Sequence, residues 1–160
     1  MTKDLEFKEA MARMAAAVCI ITTAGPSGAY GLTATAVCSV SANPPMLLVC
    51  INRESKASTI VQENGRFRVN ILAADQEALS EAFSRSGLSV EERFAQSDEW
   101  RTHDNECPML ASATASVECK VSFSMNVDSH SIFFGRVQGV ALSNTKSSLC
   151  YFNRRYHPLS

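Results

Sequence analysis

The sequence lacks the signatures of several common enzyme classes. It holds only 3 histidines in 160 residues, and none stands in an H-E-x-x-H or Cys/His spacing, so a metal centre is not expected. No Ser-His-Asp, Cys-His or paired-carboxylate arrangement is supported by spacing alone. Hydrolase and metalloenzyme chemistry therefore find no support in the residue pattern.

Charge is sparse, balanced and scattered. Lys and Arg total 15, Asp and Glu total 16, and the formal net charge is −1. Nucleic-acid binding depends on neutralising phosphates with clustered basic side chains. Because the chain has no basic stripe, nucleic acid is not an expected partner.

Long apolar runs and paired cysteines are also missing. No apolar run approaches the roughly 18 residues of a membrane span, and the charged segment MTKDLEFKEA is unlike a signal peptide. The 6 cysteines include no C-x-x-C pair. Four of them lie in apolar or strand-like runs, where thiols usually act as small hydrophobic residues, namely Cys19, Cys38, Cys50 and Cys119. A reducing, cytoplasmic setting is expected.

What the sequence does contain is a globular balance, with 46% hydrophobic and 19% charged residues. Its length predicts a single domain over residues 1–160. Period-two and β-branched patterns predict strands at 18–23, 32–40, 45–52, 66–72, 113–125 and 131–142. Helices are predicted at 6–17, 55–65, 75–84 and 89–96, and a polar surface loop at 97–109. Many short strands with few helices indicate a mainly β fold, a closed antiparallel barrel with helices packed against it.

One stretch, GLTATAVCSVSANPP at 31–45, carries no charged side chain. Its small residues let a ligand approach backbone N–H and C=O groups, which suits a flat heteroaromatic ring with donors and acceptors along one edge. Pro44 and Pro45 then stiffen the exit from the stretch. The three glycines at 24–31 do not form a G-x-G-x-x-G loop, so a hairpin connection is the better interpretation there.

Two further stretches are candidates for ligand binding. NRESKAST at 52–59 places amide and hydroxyl groups around a predicted helix start, where free N–H groups and the helix dipole suit a phosphate. The alternative is that these are turn and cap residues only. His130 precedes an apolar strand, and its residue pattern leaves a structural and a reactive role equally open.

Taken in order, these stretches resemble the short-chain flavin reductase family, the reductase components of two-component flavin-dependent monooxygenases. Within that family the chain is most similar to the reductase of 4-hydroxyphenylacetate 3-monooxygenase. The resemblance runs through FKEAMARMAAAVCIITT, GLTATAVCSVSANPPMLLVCINRESKAS, GRFRVNIL, QEALSEAF, EERF, SHSIFFGRV and YFNRRYHPL. It implies a split, Greek-key β-barrel that forms a homodimer and binds FMN or FAD. It also implies NADH or NADPH as the electron donor, without a Rossmann domain.

The resemblance assigns residues position by position. Backbone groups of Thr33, Ala34, Thr35 and Ala36 would line the isoalloxazine, with Ser39 and Val40 continuing that wall. The ribityl chain and phosphate would be held by Asn52, Ser55, Ala57 and Ser58. Phe83 matches an aromatic position near the flavin and Arg155 a basic one, while His130 matches a Gly-x-His turn that meets the nicotinamide. Asp128 stands in this sequence where that turn usually has glycine.

The expected activity is therefore hydride transfer from NAD(P)H to FMN or FAD, with reduced flavin passing to a separate monooxygenase. Two alternatives remain open at this stage. One is a non-catalytic flavin-binding protein on the same barrel. The other is a flavin-dependent reductase of another acceptor such as a corrinoid, with the polar loop at 97–109 contacting the macrocycle.

Overall fold

The computed structural model describes residues 2–104 and 106–160. Its helices are α1 (Lys3–Ala12), α2 (Lys56–Asn64), α3 (Glu77–Ser84) and α4 (Val90–Phe94). The first six strands are β1 (Ala16–Ala17), β2 (Cys19–Thr23), β3 (Tyr30–Ala34), β4 (Val37–Ala42), β5 (Pro45–Asn52) and β6 (Arg66–Ile71). They are followed by β7 (Trp100–Arg101), β8 (Met109–Leu110), β9 (Ala115–Val127), β10 (His130–Leu142), β11 (Ser148–Phe152) and β12 (Arg155–Leu159).

The main sheet has seven strands in the order β3-β2-β6-β9-β10-β5-β4, and every pairing in it is antiparallel. The long hairpin of β9 and β10 forms its centre. A smaller sheet, β1-β11-β12, holds the end of the chain. The mainly β, antiparallel fold class is as predicted.

The predicted strand over 32–40 is wrong in one informative respect, because it is two strands. β3 ends at Ala34 and β4 begins at Val37, and these two strands are the opposite edges of the seven-stranded sheet. Two residues, Thr35 and Ala36, connect them, so the edges lie no more than about 11 Å apart there. The sheet must therefore curve back on itself as a barrel that is split between β3 and β4.

Alternating side chains fill the interior of this barrel. On β5, Leu47, Val49 and Ile51 are buried, while the residues between them are less buried or exposed. Phe67 and Phe133, each no more than 1% exposed, pack with them. A second cluster lies outside the sheet, between β2, α3 and β11. It anchors α3 through Leu79 and Phe83, the i and i+4 pair expected from the sequence.

The four predicted helices are confirmed, but two of them have different ends. α1 spans Lys3–Ala12, where a helix over 6–17 was predicted. Ser55 caps α2 and Gly65 ends it with a left-handed φ of 66°, as predicted. The N-cap of α3 is Gln76 rather than the expected Asp75, and the Gln76 side chain accepts a hydrogen bond from the Ala73 N–H at 2.8 Å. In α1 the apolar residues Phe7 and Met11 remain exposed, so this helix buries no face within the chain.

The segment at 97–109 is more ordered than a polar surface loop. β7 pairs with β8, and Cys107 and Leu110 are both 1% exposed. The indole of Trp100 packs against the rings of Phe83 and Phe94, at centroid distances of 5.4 and 4.9 Å. The packing of Trp100 thus holds a polar segment against the core. Asn105, within this segment, lies outside the described residues.

Candidate functional site

The predicted ring-binding stretch lies at the split in the barrel. Thr33 is held from α3, since its Oγ1 donates to the Ser80 carbonyl at 2.6 Å. Thr35 and Ala36 are exposed, and the Ala36 carbonyl accepts from the Cys50 N–H at 3.0 Å. Ser39 and Val40 are exposed further along β4. The stretch presents accessible backbone on a rigid support, which is the arrangement that the sequence predicted.

The start of α2 lies next to this stretch, because Asn52 is two residues beyond Cys50 on β5. The Asn52 side chain accepts from the Glu54 N–H at 2.9 Å, and its carbonyl accepts from Ser55 Oγ at 2.7 Å. Ser55 Oγ in turn accepts from the Ser58 N–H at 3.4 Å. These bonds fix the helix start, with Asn52 exposed and Ser55 half-buried.

Two residues that were expected to bind ligand at this helix start have side chains that face the protein interior. Ala57 is 1% exposed and belongs to the barrel core. Ser58 is buried, and its hydroxyl donates to Ser131 Oγ at 3.0 Å. Helical periodicity turns both side chains inward, so the prediction that these two residues help to hold the ribityl chain and phosphate now concerns their backbone groups and stays a prediction. They anchor α2 to the sheet.

His130 joins the same region from β10. It pairs with Asn52 on the neighbouring strand β5 and is exposed. Its Nδ1 lies 2.8 Å from Ser129 Oγ, so that contact leaves Nε2 for another partner. The predicted ring, phosphate and nicotinamide positions are thus neighbours on β4, β5 and β10.

The turn before His130 accommodates aspartate in place of glycine. Asp128 adopts a left-handed φ of 46°, a conformation that Asp tolerates better than most residues. Arg53 holds the turn, since its guanidinium donates to the Asp128 carbonyl at 2.9 Å and its N–H donates to the Ser129 carbonyl at 3.0 Å. The departure from the expected glycine therefore leaves a supported turn.

Phe83 is buried in the core of this chain. Its ring is 1% exposed and packs edge-on against Phe94 at 5.3 Å. It fills the space above Gly31, where an added Cβ would lie 2.5 Å from the Phe83 ring. Phe83 therefore supports β3 from behind the ring-binding stretch, and its expected place near the flavin stays a prediction.

Arg155 is placed as expected beside the ring-binding stretch. It is exposed at the start of β12 and lines a cavity of about 750 Å³ together with Thr33, Ala34 and Thr35. The cavity also contains residues that sequence reasoning missed, above all Arg154 and Tyr156. Nothing in the sequence pattern marks them, because they come from the far end of the chain and meet β3 only in the folded protein.

Arg93 is another residue that the sequence did not single out. It is 8% exposed, and its guanidinium donates to the Gly31 carbonyl at 2.8 Å and to the Arg85 carbonyl at 3.0 Å. It also lies over the Tyr30 ring, 5.4 Å from the centroid. Arg93 thus ties β3 to the end of α3, behind the ring-binding stretch.

Comparison with known proteins agrees with this geometry. Residues 11–160 match the flavin reductase like domain. The chain belongs to the flavin reductase family. It is 47% identical over 155 residues to the FMN reductase (NADH) RutF of Stutzerimonas stutzeri, covering 97% of this chain and 88% of that relative.

Two further flavin reductase relatives span both chains almost completely. The reductase component of 4-hydroxyphenylacetate 3-monooxygenase from Salmonella typhi is 41% identical, covering 97% of this chain and 91% of that protein. A crystal structure described as a flavin reductase of Haemophilus somnus superimposes with a TM-score of 0.92 at 41% identity, covering 99% and 100% of the two chains. The resemblance identified from the sequence is confirmed.

Neither a candidate metal-binding cluster nor a membrane-spanning helix is found among residues 2–104 and 106–160. No group of 3 or more His, Cys, Asp or Glu side chains in residues 2–104 and 106–160 is placed to hold a metal ion. In the same part of the chain, none of the helices has the length and apolar character that crossing a bilayer requires.

The thiols of this flavin reductase family member differ sharply in burial. Burial raises the pKa of Cys19, Cys107 and Cys119 to about 12. Cys38 is exposed, whereas Cys50 and Cys150 are half-buried. Since the thiolate is the reactive form, we expect the three buried thiols to stay unmodified by Ellman's reagent at pH 8 while Cys38 reacts readily.

Mass spectrometry after blocking with iodoacetamide, in native buffer and in guanidinium chloride, would check this order. Labelling of Cys19, Cys107 or Cys119 in native buffer at the rate of Cys38 would contradict it. Cys38→Ser is the matched control, in which the rapidly labelled thiol should disappear and the labelling of the other cysteines should stay unchanged.

Proposed function

We propose that the protein is an NADH:flavin oxidoreductase that transfers hydride from NADH to FMN or FAD. The observation that carries the proposal is the convergence of open, uncharged backbone at Thr33–Ala36 with the start of α2 and with His130. This site is built mainly from backbone groups, hydroxyls and an amide that form hydrogen bonds. Hydride transfer between two stacked rings needs such positioning and little else. Membership of the flavin reductase family supports the same activity.

Each group has a role in this reaction. When bound, a flavin would supply the hydride-accepting ring. Backbone N–H groups of Thr33–Ala36 would hold that ring and would stabilise negative charge on its reduced form. Asn52 and Ser55, at the start of α2, hold the ribityl chain and phosphate, where the helix dipole favours an anion.

His130 positions the donor. Ser129 fixes one ring nitrogen of His130 at 2.8 Å, which leaves Nε2 to hydrogen bond with the nicotinamide carboxamide. His130 orients the nicotinamide and is not a proton donor in the reaction, because hydride transfer consumes no proton from Nε2. A nicotinamide misplaced at a cost of about 1.4 kcal/mol reacts roughly tenfold more slowly.

Substitution of His130 by alanine is therefore expected to lower NADH turnover about 10- to 100-fold, the loss of one or two such increments, while flavin binding is retained. Turnover is followed by the loss of NADH absorbance with FMN or FAD, against a blank of flavin without protein. Binding is followed by flavin fluorescence. His103→Ala, an exposed histidine far along the chain from this turn, is the matched control.

Three results are distinguishable. Rates of the His130 variant equal to wild type would remove His130 from the reaction. A wild-type protein that binds flavin yet consumes no NADH above the blank would be a flavin carrier, and the proposed activity would fail. Efficient reduction of a cobalt corrinoid in place of flavin would assign a different acceptor.

We also propose that the protein works as a homodimer. The outer face of β9, β10 and β5 carries apolar side chains in cross-strand rows, Phe123–Phe134–Leu48 and Met125–Ile132–Cys50. Phe123 and Phe134 stack at 4.2 Å, yet Phe123 remains 53% and Met125 48% exposed. A contiguous apolar patch of this kind is typical of an interface.

The next row along the same face is Val127–His130–Asn52. A second copy seated on the apolar rows would therefore border the site. This continuity between patch and site favours a second copy of the chain as the occupant.

The reduced flavin is proposed to serve a separate monooxygenase in the cytoplasm. The relative from Salmonella typhi is named as the reductase component of such a system. All 6 cysteines are free, which suits a reducing compartment. Expression with and without a flavin-dependent monooxygenase, with product formation measured, would test the partnership.

A further inference from the structure

Residues of α3 and of the β11–β12 hairpin line the cavity beside the ring-binding stretch. Both elements also contribute to the second core cluster, between β2, α3 and β11. One wall is α3, with Glu77 and Glu81, and the other is the β11–β12 hairpin, with Arg154 and Arg155. Its floor is Thr33–Thr35. At about 750 Å³ it lies within the usual range for small-molecule sites, roughly 300 to 1,000 Å³. It is therefore large enough to extend the flavin site by a second group.

The two arginines in this cavity are weakly neutralised. Arg154 pairs with Glu9 of α1 at 3.0 Å, and this pair is exposed. Arg155 is exposed and has no acidic partner among the contacts in residues 2–104 and 106–160. Adjacent guanidinium groups of this kind match the geometry of phosphate oxygens, which they bind in pairs.

The hairpin holds one arginine in an uncommon conformation. Asn153 and Arg154 form its turn with φ values of 48° and 61°. Two left-handed residues are what a two-residue hairpin turn between Phe152 and Arg155 requires, so the turn points the side chains of Arg154 and Arg155 by its own geometry. Here the Asn153 N–H donates to the Ala12 carbonyl at 2.6 Å, which fixes the turn against α1.

The remaining walls offer partners for a nucleoside. Glu77 and Glu81 stand one helical turn apart on α3, so their carboxylates can accept bonds from sugar hydroxyls. The Tyr151 ring is 37% exposed and available for stacking with a base. Tyr156 is fixed by its hydroxyl, which lies 2.9 Å from Ser80 Oγ.

We infer that this cavity binds the adenosine diphosphate portion of a dinucleotide, with Arg154 and Arg155 on the diphosphate. The inference rests on the proposed function, because the flavin ring must lie on Thr33–Ala36 for the cavity to receive the rest of the molecule. NADH and FAD both carry this portion, whereas FMN does not. The experiment therefore separates the two sources by using FMN as the acceptor.

The test variants are Arg155→Ala and Arg154→Ala, with Arg101→Ala as the matched control. Arg101 is exposed and its guanidinium donates only to backbone carbonyls. With FMN saturating, we expect each test variant to raise the KM for NADH about 10- to 100-fold, the loss of one charged hydrogen bond. ADP-ribose should inhibit the wild type competitively against NADH, and its inhibition constant should rise in parallel.

The dissociation constants of FMN and FAD, measured by fluorescence without NADH, complete the design. If the cavity receives FAD instead, the dissociation constant of FAD rises in the variants while that of FMN and the KM for NADH stay unchanged. Either result supports the inference. Unchanged NADH and FAD values overturn it, as does an equal rise for FMN and FAD, which would place the flavin phosphate on the arginines.

Failure of the inference is distinct from failure of the proposed function. In the first case the wild type consumes NADH and the arginine variants behave like Arg101→Ala. In the second case the wild type itself consumes no NADH above the flavin blank. Circular dichroism of each variant controls for folding.

Discussion

Replacement of Arg68 by leucine is expected to lower the free energy of unfolding by about 3 to 5 kcal/mol, the usual cost of breaking a buried ion pair from one side. Arg68 is 4% exposed on β6. Its Nε lies 2.8 Å from Glu118 Oε2, and its NH2 lies 3.2 Å from Glu106. Glu118 Oε2 is buried, and the other oxygen of this carboxylate accepts a long bond of 3.4 Å from the Cys107 N–H, so removal of Arg68 takes away the nearest positive charge.

The guanidinium also satisfies other buried groups. It donates from Nε to the Cys107 carbonyl at 3.0 Å and from NH1 to Ser116 Oγ at 3.3 Å. Leucine replaces neither bond. Urea unfolding followed by circular dichroism measures the loss, with Arg101→Leu, an exposed arginine, as the control. A change below about 1 kcal/mol, the usual limit for an exposed pair, would contradict the argument.

The double variant Arg68→Leu, Glu118→Leu should recover part of this loss. Removing both partners leaves no uncompensated charge, and such replacements are often neutral. The opposite result is a double variant that loses more stability than the two single variants lose together. That result would show that Arg68→Leu does not leave the charge of Glu118 unpaired.

The loss in Arg68→Leu should also depend on pH. Burial raises the pKa of Glu118, and Arg68 lowers it in the wild type. Without Arg68 the pKa rises further, so the folded state binds a proton more tightly than the unfolded state. That contribution to stability is present at acidic pH and is lost as pH rises through the folded pKa. We expect Arg68→Leu to be closer to wild type at pH 5 than at pH 8.

Joint substitution of Phe123 and Met125 by aspartate is expected to convert the proposed homodimer into monomers. Across a two-fold axis the change buries four carboxylates, each at a cost of several kcal/mol. Even about 4 kcal/mol in total weakens association roughly 1,000-fold. Because the row with His130 borders this patch, NADH turnover should fall together with the dimer.

Light scattering after size exclusion measures the result, with a chain mass of 17.4 kDa as the monomer reference. Leu142→Asp is the control, since Leu142 is 78% exposed at the other end of β10. Both variants should keep the wild-type circular dichroism spectrum. A double variant that retains twice the chain mass, or a wild type that is already monomeric, would rule out this interface.

Local patterns were sufficient for much of the fold. The caps of α2 follow from Ser55 and Gly65, and the strands β5, β9 and β10 follow from the apolar runs at 45–52, 113–125 and 131–142. These features depend on residues near one another in sequence. The break at Thr35 and Ala36 was not predictable in the same way, because both halves of 32–40 favour strand. Only closure of the sheet decides that its edges meet there.

The candidate site likewise has one part that local patterns marked and another part that they did not. Residue types and order marked Thr33–Ala36, Asn52, Ser55 and His130, since small residues, a helix start and a strand-end turn are visible locally. The burial of Phe83 and Ala57 was not visible in the same way, because a matching position does not reveal which side of a helix faces the core. Of the charged residues that line the cavity, only Arg155 was marked, whereas Arg154 and the glutamates of α3 were missed.

Composition and short-range periodicity were enough to predict the mainly β fold and to mark the stretch of small uncharged residues at 31–45. Which of the marked residues share a surface depends on the folded chain as a whole. Folding brings β3, α3 and the last hairpin together around one cavity and places His130 beside Asn52. Strand pairing and core packing join residues that are far apart in sequence, and no local pattern encodes those pairings.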